Sequence, residues 1–326
     1  MSAATAPVAV IVVTRDSARF LVDCLASLRG LERPPAEVVV VDNASADGTP
    51  DLVRREFPEA VLLETGGNAG FCRANNLGIA SCRSPFVLVL NPDTRLDSRF
   101  LEELLPAFDD PRVGSACGKL LRFDGRTVDS AGQILGRSRQ PVDRGYGTLD
   151  RGAFDRDDEV FGACGAAALY RRAMIEDVAD PGGAFFDEAF FAYYEDLDVA
   201  WRARRRGWRV AYRHRAVGFH HRGGTATSLS ARRRARALLA RDDDLRFHIA
   251  KNRYLTVLRN DRPGAYLRDL PFVLARDVGT LGILLLTSPR VLVRLWRERE
   301  AFRRALRLRR LDADRAGNHV QGGTPA

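Results

Sequence analysis

Lysine is almost missing from this chain: of 51 basic side chains in 326 residues, only Lys119 and Lys251 are not arginine. Cysteine is scattered at 24, 72, 82, 117 and 164, with no CxxC pair and no cluster. That excludes a disulfide scaffold or a structural zinc site and suits reduced thiols in a cytosolic compartment. A GxGxxG fingerprint is absent, which argues against dinucleotide binding. No window reaches the length of a bilayer-spanning run free of charge. The longest apolar run, Val278 to Thr287, is flanked by Arg276, Asp277 and Arg290, and is expected to fall short of a membrane span. The apolar N-terminal run lacks a basic region before it and a cleavage site after it, so it reads as a first strand, not a signal peptide.

What is present is enough apolar residue, 45%, for a full core in one large domain or two smaller ones. The formal charge of +9 comes from arginines crowded into 202–241 and 290–310. Such crowding suits an anionic membrane surface or an anionic substrate, and nucleic acid less securely.

The pattern of the first ninety residues is strand, polar turn, amphipathic helix, repeated. Val8–Val13, Val38–Val41, Val61–Leu63 and Phe86–Leu90 are apolar runs, and Phe20, Leu21, Cys24, Leu25 and Leu28 recur at helical spacing. The runs break into Thr14-Arg15-Asp16, Asp42-Asn43 and Asn91-Pro92-Asp93. In an open parallel sheet such turns gather on one edge, where ligands bind. Asp93, held by a rigid Pro, is suited to hold a divalent cation against a diphosphate, although an Asp there also serves as a helix cap. Further on, six aromatics from Phe185 to Tyr194 precede Glu195, Asp196 and Asp198 in the first turn of a helix that stops near Gly207. Compensation of the helix dipole accounts for one such acid more readily than three. Two short strands, Trp208–Tyr212 and Val217–Phe219, deliver His220-His221 into a Gly-Gly turn. The segment 110–165 is irregular beyond a strand at Ala116–Leu121 and names no functional residue. After Gly224 the pattern becomes helical, basic and amphipathic, and the last dozen residues are expected to be disordered.

These stretches, VAVIVVTRD, VVVVDNASADGT, GGNAGFCRANNLGI, VLVLNPDTRL, FFDEAFFAYYEDLDVAWRARRRGW and AVGFHHRGGTAT, occur in an order and spacing that resembles the family 2 inverting glycosyltransferases of the GT-A fold, in their rhamnosyltransferase-like branch. The resemblance covers about residues 7 to 225. It implies an α/β fold, a Rossmann-like mixed sheet flanked by helices, in a domain spanning 1–224, followed by a helical region, 225–326. Thr14 and Asp42 would hold the base and ribose, with Arg15 nearby and Asn68 and Gly70 along the sugar nucleotide. Asn91, Glu195 and Trp201 join them as expected substrate-binding residues. Asp93 ends the DxD-type motif, here Asn-Pro-Asp without its first acid, and would bind Mg or Mn with His220, preferred over His221 because His-x-x-Gly-x-Thr is the family's spacing. Asp196 matches the catalytic base, so Asp196→Asn is expected to be dead and Asp198→Asn much milder. The QxxRW signature of processive members is absent, so a single addition is expected.

The expected activity is transfer of a sugar, rhamnose favoured, from a nucleoside diphosphate donor, dTDP-rhamnose favoured and a UDP-sugar the alternative, to a glycan or lipid-linked acceptor in cell-surface polysaccharide synthesis. The enzyme is expected on the cytoplasmic face of the plasma membrane, attached peripherally through its basic residues, with no nucleic acid partner. Two other readings are a nucleotidyltransferase making sugar nucleotides, poorly matched by Thr14-Arg15-Asp16-Ser17, and a non-enzymatic basic module for membranes or nucleic acid, which would have no use for Asp42, Asp93 and Asp196 together.

Overall fold

A computed structural model describes residues 5–222 and 238–321. The chain runs β1 (Ala6–Thr14), α1 (Ala18–Arg29), β2 (Pro35–Asp42), α2 (Thr49–Glu56), β3 (Val61–Glu64), α3 (Phe71–Ser81), β4 (Phe86–Leu90), β5 (Thr94–Leu96), α4 (Phe100–Leu104), β6 (Val113–Leu121), β7 (Val128–Ser130), β8 (Gln133–Leu135), β9 (Pro141–Asp143), β10 (Asp158–Glu159), β11 (Ala167–Arg171), α5 (Arg172–Val178), α6 (Glu195–Arg205) and β12 (Arg209–His220). Helices α7 (Asp243–Asn260), α8 (Pro263–Arg268), α9 (Leu270–Thr287), α10 (Pro289–Arg297) and α11 (Arg299–Gln321) follow.

The sheet has the order β10-β12-β6-β11-β4-β1-β2-β3, with β5 on β12 and β7 on β6. Strands β4, β1, β2 and β3 are mutually parallel, and β11 enters antiparallel between β4 and β6. The carboxyl ends of β1, β2 and β4 therefore line one edge, as the polar turns after the apolar runs require. Burial alternates along β1: Ala9, Ile11 and Val13 join the core on one face of the sheet, and Val8, Val10 and Val12 join the core on the other. Both faces are covered, which is why the strand reads as an unbroken apolar run.

Three local expectations change. The two short strands expected at 208–219 are one strand, β12, whose pairing with β6 shifts register between Arg213 and Val217. An irregularity absorbs the charged interruption, so the strand bends without ending. The ten-residue apolar run at 278–287 is the second half of an 18-residue helix with a mean hydropathy of 1.6. The terminal helix continues to Gln321, where disorder was expected; residues 322–326, the Gly223-Gly224 turn and the expected domain boundary lie outside the described residues.

Helices α7 and α11 are bound into the sheet's own packing, since Leu255 and Ala305 belong to one of its two main cores. Buried Arg259 reinforces this, pairing with Asp187 at 3.3 Å and Asp312 at 3.2 Å, and with Asp180.

Candidate active site

A cavity of about 890 Å³ opens at the carboxyl ends of β1 and β4. Arg15, Asn91 and Asp93 line it from the strand ends, and Glu195 and Asp196 from the start of α6. Gln133 and Asp143 come from the β8–β9 hairpin, and α9 closes the far side. His220 reaches it because β12 pairs with β5, setting His220 opposite Thr94 beside Asp93.

His220 Nε2 lies 3.3 Å from Asp93 Oδ1, and its Nδ1 lies 2.8 Å from an oxygen of Asp129, a fully buried carboxylate on β7. Burial works against a charged imidazole, but the hydrogen bonds to Asp129 and Asp93 outweigh it and raise the pKa to about 9. Burial would raise the Asp129 carboxyl, but the hydrogen bond from His220, and then Arg222 at 3.2 Å, hold it below its ordinary value; Arg222 also pairs with Asp143. His221 is elsewhere, stacked on Phe123 with ring centroids 3.7 Å apart. Among the described residues, no three His, Cys, Asp or Glu side chains gather into a metal cage.

Asp196 accepts hydrogen bonds from Gln133 Nε2 at 2.7 Å and from the Gly165 backbone N–H at 3.2 Å. Burial first, and the charge of Asp143 second, push its carboxyl above the usual range. Its neighbour Glu195 is pushed to about 8 by burial and by Asp196, and its buried Oε2 has no hydrogen-bond partner among the described residues. Asp198 points the other way, 1% exposed, accepting from Arg202 at 2.8 Å and from Asn260 at 2.7 Å.

The turn before α6 is held in an unusual backbone. Phe191, Tyr193 and Tyr194 have φ of +67°, +71° and +70°. Such left-handed non-glycine residues cost about 1–3 kcal/mol each and persist only where the surroundings hold them. Here the Asn252 side chain on α7 donates to the carbonyls of Phe190, Ala192 and Tyr193 at 2.9, 2.7 and 2.8 Å.

The other expected residues divide. Thr14 and Asp42 pair in register at the ends of β1 and β2, and each carries a buried oxygen, Oγ1 and Oδ1, without a partner among the described residues. Neither lines the cavity, but two orphaned oxygens at a strand edge are what a hydrogen-bonding ligand would satisfy. Asn68 accepts from Asn43 at 3.0 Å and from the Gly70 N–H at 3.2 Å, shaping the glycine turn. Gly70 has φ +83°, and a Cβ there would come 2.5 Å from the Phe191 ring, so only glycine fits. Trp201 is not brought to the cavity. Five residues after Asp196, it sits about 140° further round α6, edge-on to Phe161 and lining a separate cavity of about 440 Å³. Sequence reasoning missed Asp129, Gln133 and Asp143, whose short strands lack a readable period, and Arg222, which the His-His-Arg-Gly-Gly stretch had offered.

A family model for glycosyl transferase family 2 matches residues 9–179. An N-acetylglucosaminyl-diphospho-decaprenol L-rhamnosyltransferase of Mycobacterium tuberculosis (strain H37Rv) is 32% identical over 238 residues, covering 65% of this chain and 75% of that one. A poly-beta-1,6-N-acetyl-D-glucosamine synthase of Staphylococcus aureus (strain COL) is 24% identical over 197 residues, 58% of this chain and 44% of that one. Among solved structures, S. aureus TarS 1-349 in complex with UDP-GlcNAc aligns with a TM-score of 0.53 at 18% identity, covering 92% and 79% of the two chains. The mannosyltransferase PcManGT from Pyrobaculum calidifontis, in complex with GDP-Man and Mn2+, aligns with a TM-score of 0.52 at 17% identity over 98% and 90%. These two share the fold, and the family match with the rhamnosyltransferase similarity goes further: the chain is a member of glycosyl transferase family 2.

Proposed function

We propose that the protein transfers a sugar from a nucleoside diphosphate to a hydroxyl of a glycan or lipid-linked acceptor, inverting the anomeric centre, in cell-surface polysaccharide synthesis. Rhamnose carried on dTDP is the favoured donor, and a UDP-sugar the alternative. The observation that carries this reading is that one cavity is lined by both the Asp93–His220 pair and Asp196. The similarity to a rhamnosyltransferase named for a diphospho-decaprenol acceptor supports the choice of sugar and of a lipid-linked acceptor.

Asp93 and His220 fit a divalent cation, Mg or Mn. Their donor atoms are 3.3 Å apart, about the separation of adjacent ligands on an ion with bonds of ~2.0–2.3 Å. The Asp129 carboxylate fixes the imidazole from behind, the usual support of a metal-bound histidine. Two protein ligands suffice where phosphate oxygens complete the shell. The ion would neutralise charge growing on the leaving diphosphate.

Asp196 is the proposed base. It takes the proton of the acceptor hydroxyl as that oxygen attacks the anomeric carbon, while the bond to the diphosphate oxygen breaks on the opposite face. The Gln133 and Gly165 donors favour its ionised form, and burial keeps it more basic than an exposed Asp. Glu195 and Asn91 are proposed to bind substrate hydroxyls, Arg15 the donor, and the orphaned oxygens of Thr14 and Asp42 the nucleoside, with Asn68 and Gly70 shaping the turn beside it. Trp201 is left out. Family membership leaves the nucleotidyltransferase and non-enzymatic readings without support.

The site of action proposed is the cytoplasmic face of the plasma membrane, with anionic lipid as partner. The test is a panel of nucleotide sugars with a polyprenyl-diphosphate N-acetylglucosamine acceptor, products read by mass spectrometry and the new linkage by NMR. Inverted rhamnosyl product is expected. No transfer from any donor, or retained configuration, would overturn the reading.

A further inference from the structure

Helix α9 is long and apolar, yet only 11% of it is buried. Val273 and Leu284 face inward, whereas Leu274, Val278, Leu281 and Leu285 recur at helical spacing as an exposed ridge. Val278 is 69% exposed, Leu285 61%, Leu286 beside it 85% and Trp296 on α10 71%. A contiguous apolar surface of this kind marks a docking face.

The rim of this face is cationic. Arg262, Arg268, Arg290 and Arg297 are exposed along it, whereas Arg276 is turned inward and Arg294 is paired with Asp244 at 2.6 Å; the aspartates of this stretch are Asp269 and Asp277. Asp269 is bound by Arg139 at 2.8 Å and Asp277 by Arg253 at 2.7 Å, so neither carboxylate faces out uncompensated. An apolar ridge with an interfacial Trp and an arginine rim is complementary to an anionic lipid monolayer. The helix is long and apolar enough to cross a membrane by length and composition, but its charged pair ties it to the rest of the protein. Asp277 holds Arg253, and Arg276 donates to Gln140 at 2.9 Å and to the Tyr194 hydroxyl at 3.2 Å.

The same helix walls the active-site cavity. Ala275 and Gly279, both exposed, lie at its rim, with Thr280, Ile283 and Ile249 behind them. The cavity is thus polar where Asp93, Asp196 and His220 gather and apolar where it meets α9, with Arg222, Arg241 and Arg276 also among its lining residues. That gradient suits an amphiphile whose sugar lies deep, whose phosphates meet arginine, and whose hydrocarbon leaves along α9.

We infer that α9 is the acceptor-lipid subsite: its Leu274–Leu285 ridge inserts into an anionic monolayer, and its Ala275–Gly279–Ile283 face guides the first part of a polyprenyl chain into the cavity. This rests on the lipid-linked acceptor proposed above, and it replaces attachment by arginine charge alone with insertion.

The test uses the full-length protein, vesicles of equal parts phosphatidylglycerol and phosphatidylcholine, and one glycan diphosphate carried either on a long polyprenyl chain or on a short water-soluble one. The wild type is expected to float with vesicles and to remain bound in about 1 M salt, where surface charges are screened within ~3 Å. Val278→Glu with Leu285→Glu, at exposed positions in a helix that tolerates Glu, should lose flotation and slow transfer to the long-chain acceptor by about tenfold or more, with the short-chain rate unchanged. Gly279→Leu, whose added Cβ meets no atom within 4 Å, should float normally yet slow the long-chain reaction at least about tenfold more than the short-chain one. The inference is overturned if the wild type fails to float, if it dimerises through this face without lipid, or if the double variant floats as before. Equal effects of Gly279→Leu on both acceptors also overturn it. If the wild type transfers to neither acceptor, the proposed function itself fails.

Discussion

Asp129 and His220, 91 residues apart in sequence, meet at 2.8 Å beneath the cavity. Asp129 comes from a three-residue strand, β7, and touches only the far nitrogen of the imidazole, leaving Nε2 to face Asp93. Removing a support of this kind typically weakens a metal site about 10- to 100-fold. Asp129→Ala is therefore expected to lower Mn affinity by that factor in a titration followed by electron paramagnetic resonance, and Asp93→Ala to abolish binding. Chelation should stop transfer. Full turnover in excess chelator would remove the metal from the scheme.

Asp196→Asn is expected to slow transfer by about 10² to 10⁴, with nucleotide-sugar affinity and melting temperature unchanged, because the side chain lines the cavity and forms no ion pair among the described residues. Isothermal titration with the donor beside a turnover assay separates the two effects. Turnover near the wild-type rate would reassign the base.

Asp198→Asn, expected from sequence to be mild in its effect on transfer, should nevertheless be destabilising. Burial alone would raise this carboxyl, but Arg202 and Arg259 hold it below the usual range, and Asn260 donates to its other oxygen. Cutting a buried pair leaves charge uncompensated and costs about 3–5 kcal/mol. Thermal unfolding should show the loss, with transfer retained at low temperature. An unchanged melting temperature would contradict it.

Glu195 makes stability fall as pH rises. Its folded pKa lies above the unfolded value, so from the ordinary carboxylate range up to about 8 the folded state keeps a proton that the unfolded state has released. Stability contributed by the neutral acid is complete below that window and lost through it. Denaturant midpoints between pH 5 and 8 should show the slope, and Glu195→Gln should flatten it; parallel curves for the two proteins would dismiss the effect.

The sheet edge was legible because unbroken apolar runs ending in Thr14, Asp42 and Asp93 carry their own position: a strand buried on both faces has only its ends free for chemistry. Asp196 was legible from clustering and from resemblance. Gln133, Asp129 and Asp143 were not, since they sit on strands of three residues that exist only through pairing with distant chain. Arg276 and Asp277 misled in the opposite direction. Counted along the sequence they interrupt an apolar run, yet in space both turn toward partners and leave the outer ridge of α9 unbroken. Trp201 shows the limit of a helical-face argument, which groups residues without saying which neighbour the face meets.

The Asn252 clamp has a consequence for the order in which this protein becomes an enzyme. The turn that aims Asp196 is translated about sixty residues before the amide that holds its three carbonyls. Until α7 has been made, the turn that leads into Asp196 lacks the amide that holds its carbonyls. The helix that supplies this clamp also carries Leu255 into the core beside the sheet, so docking of α7 sets the turn and completes the packing in one step.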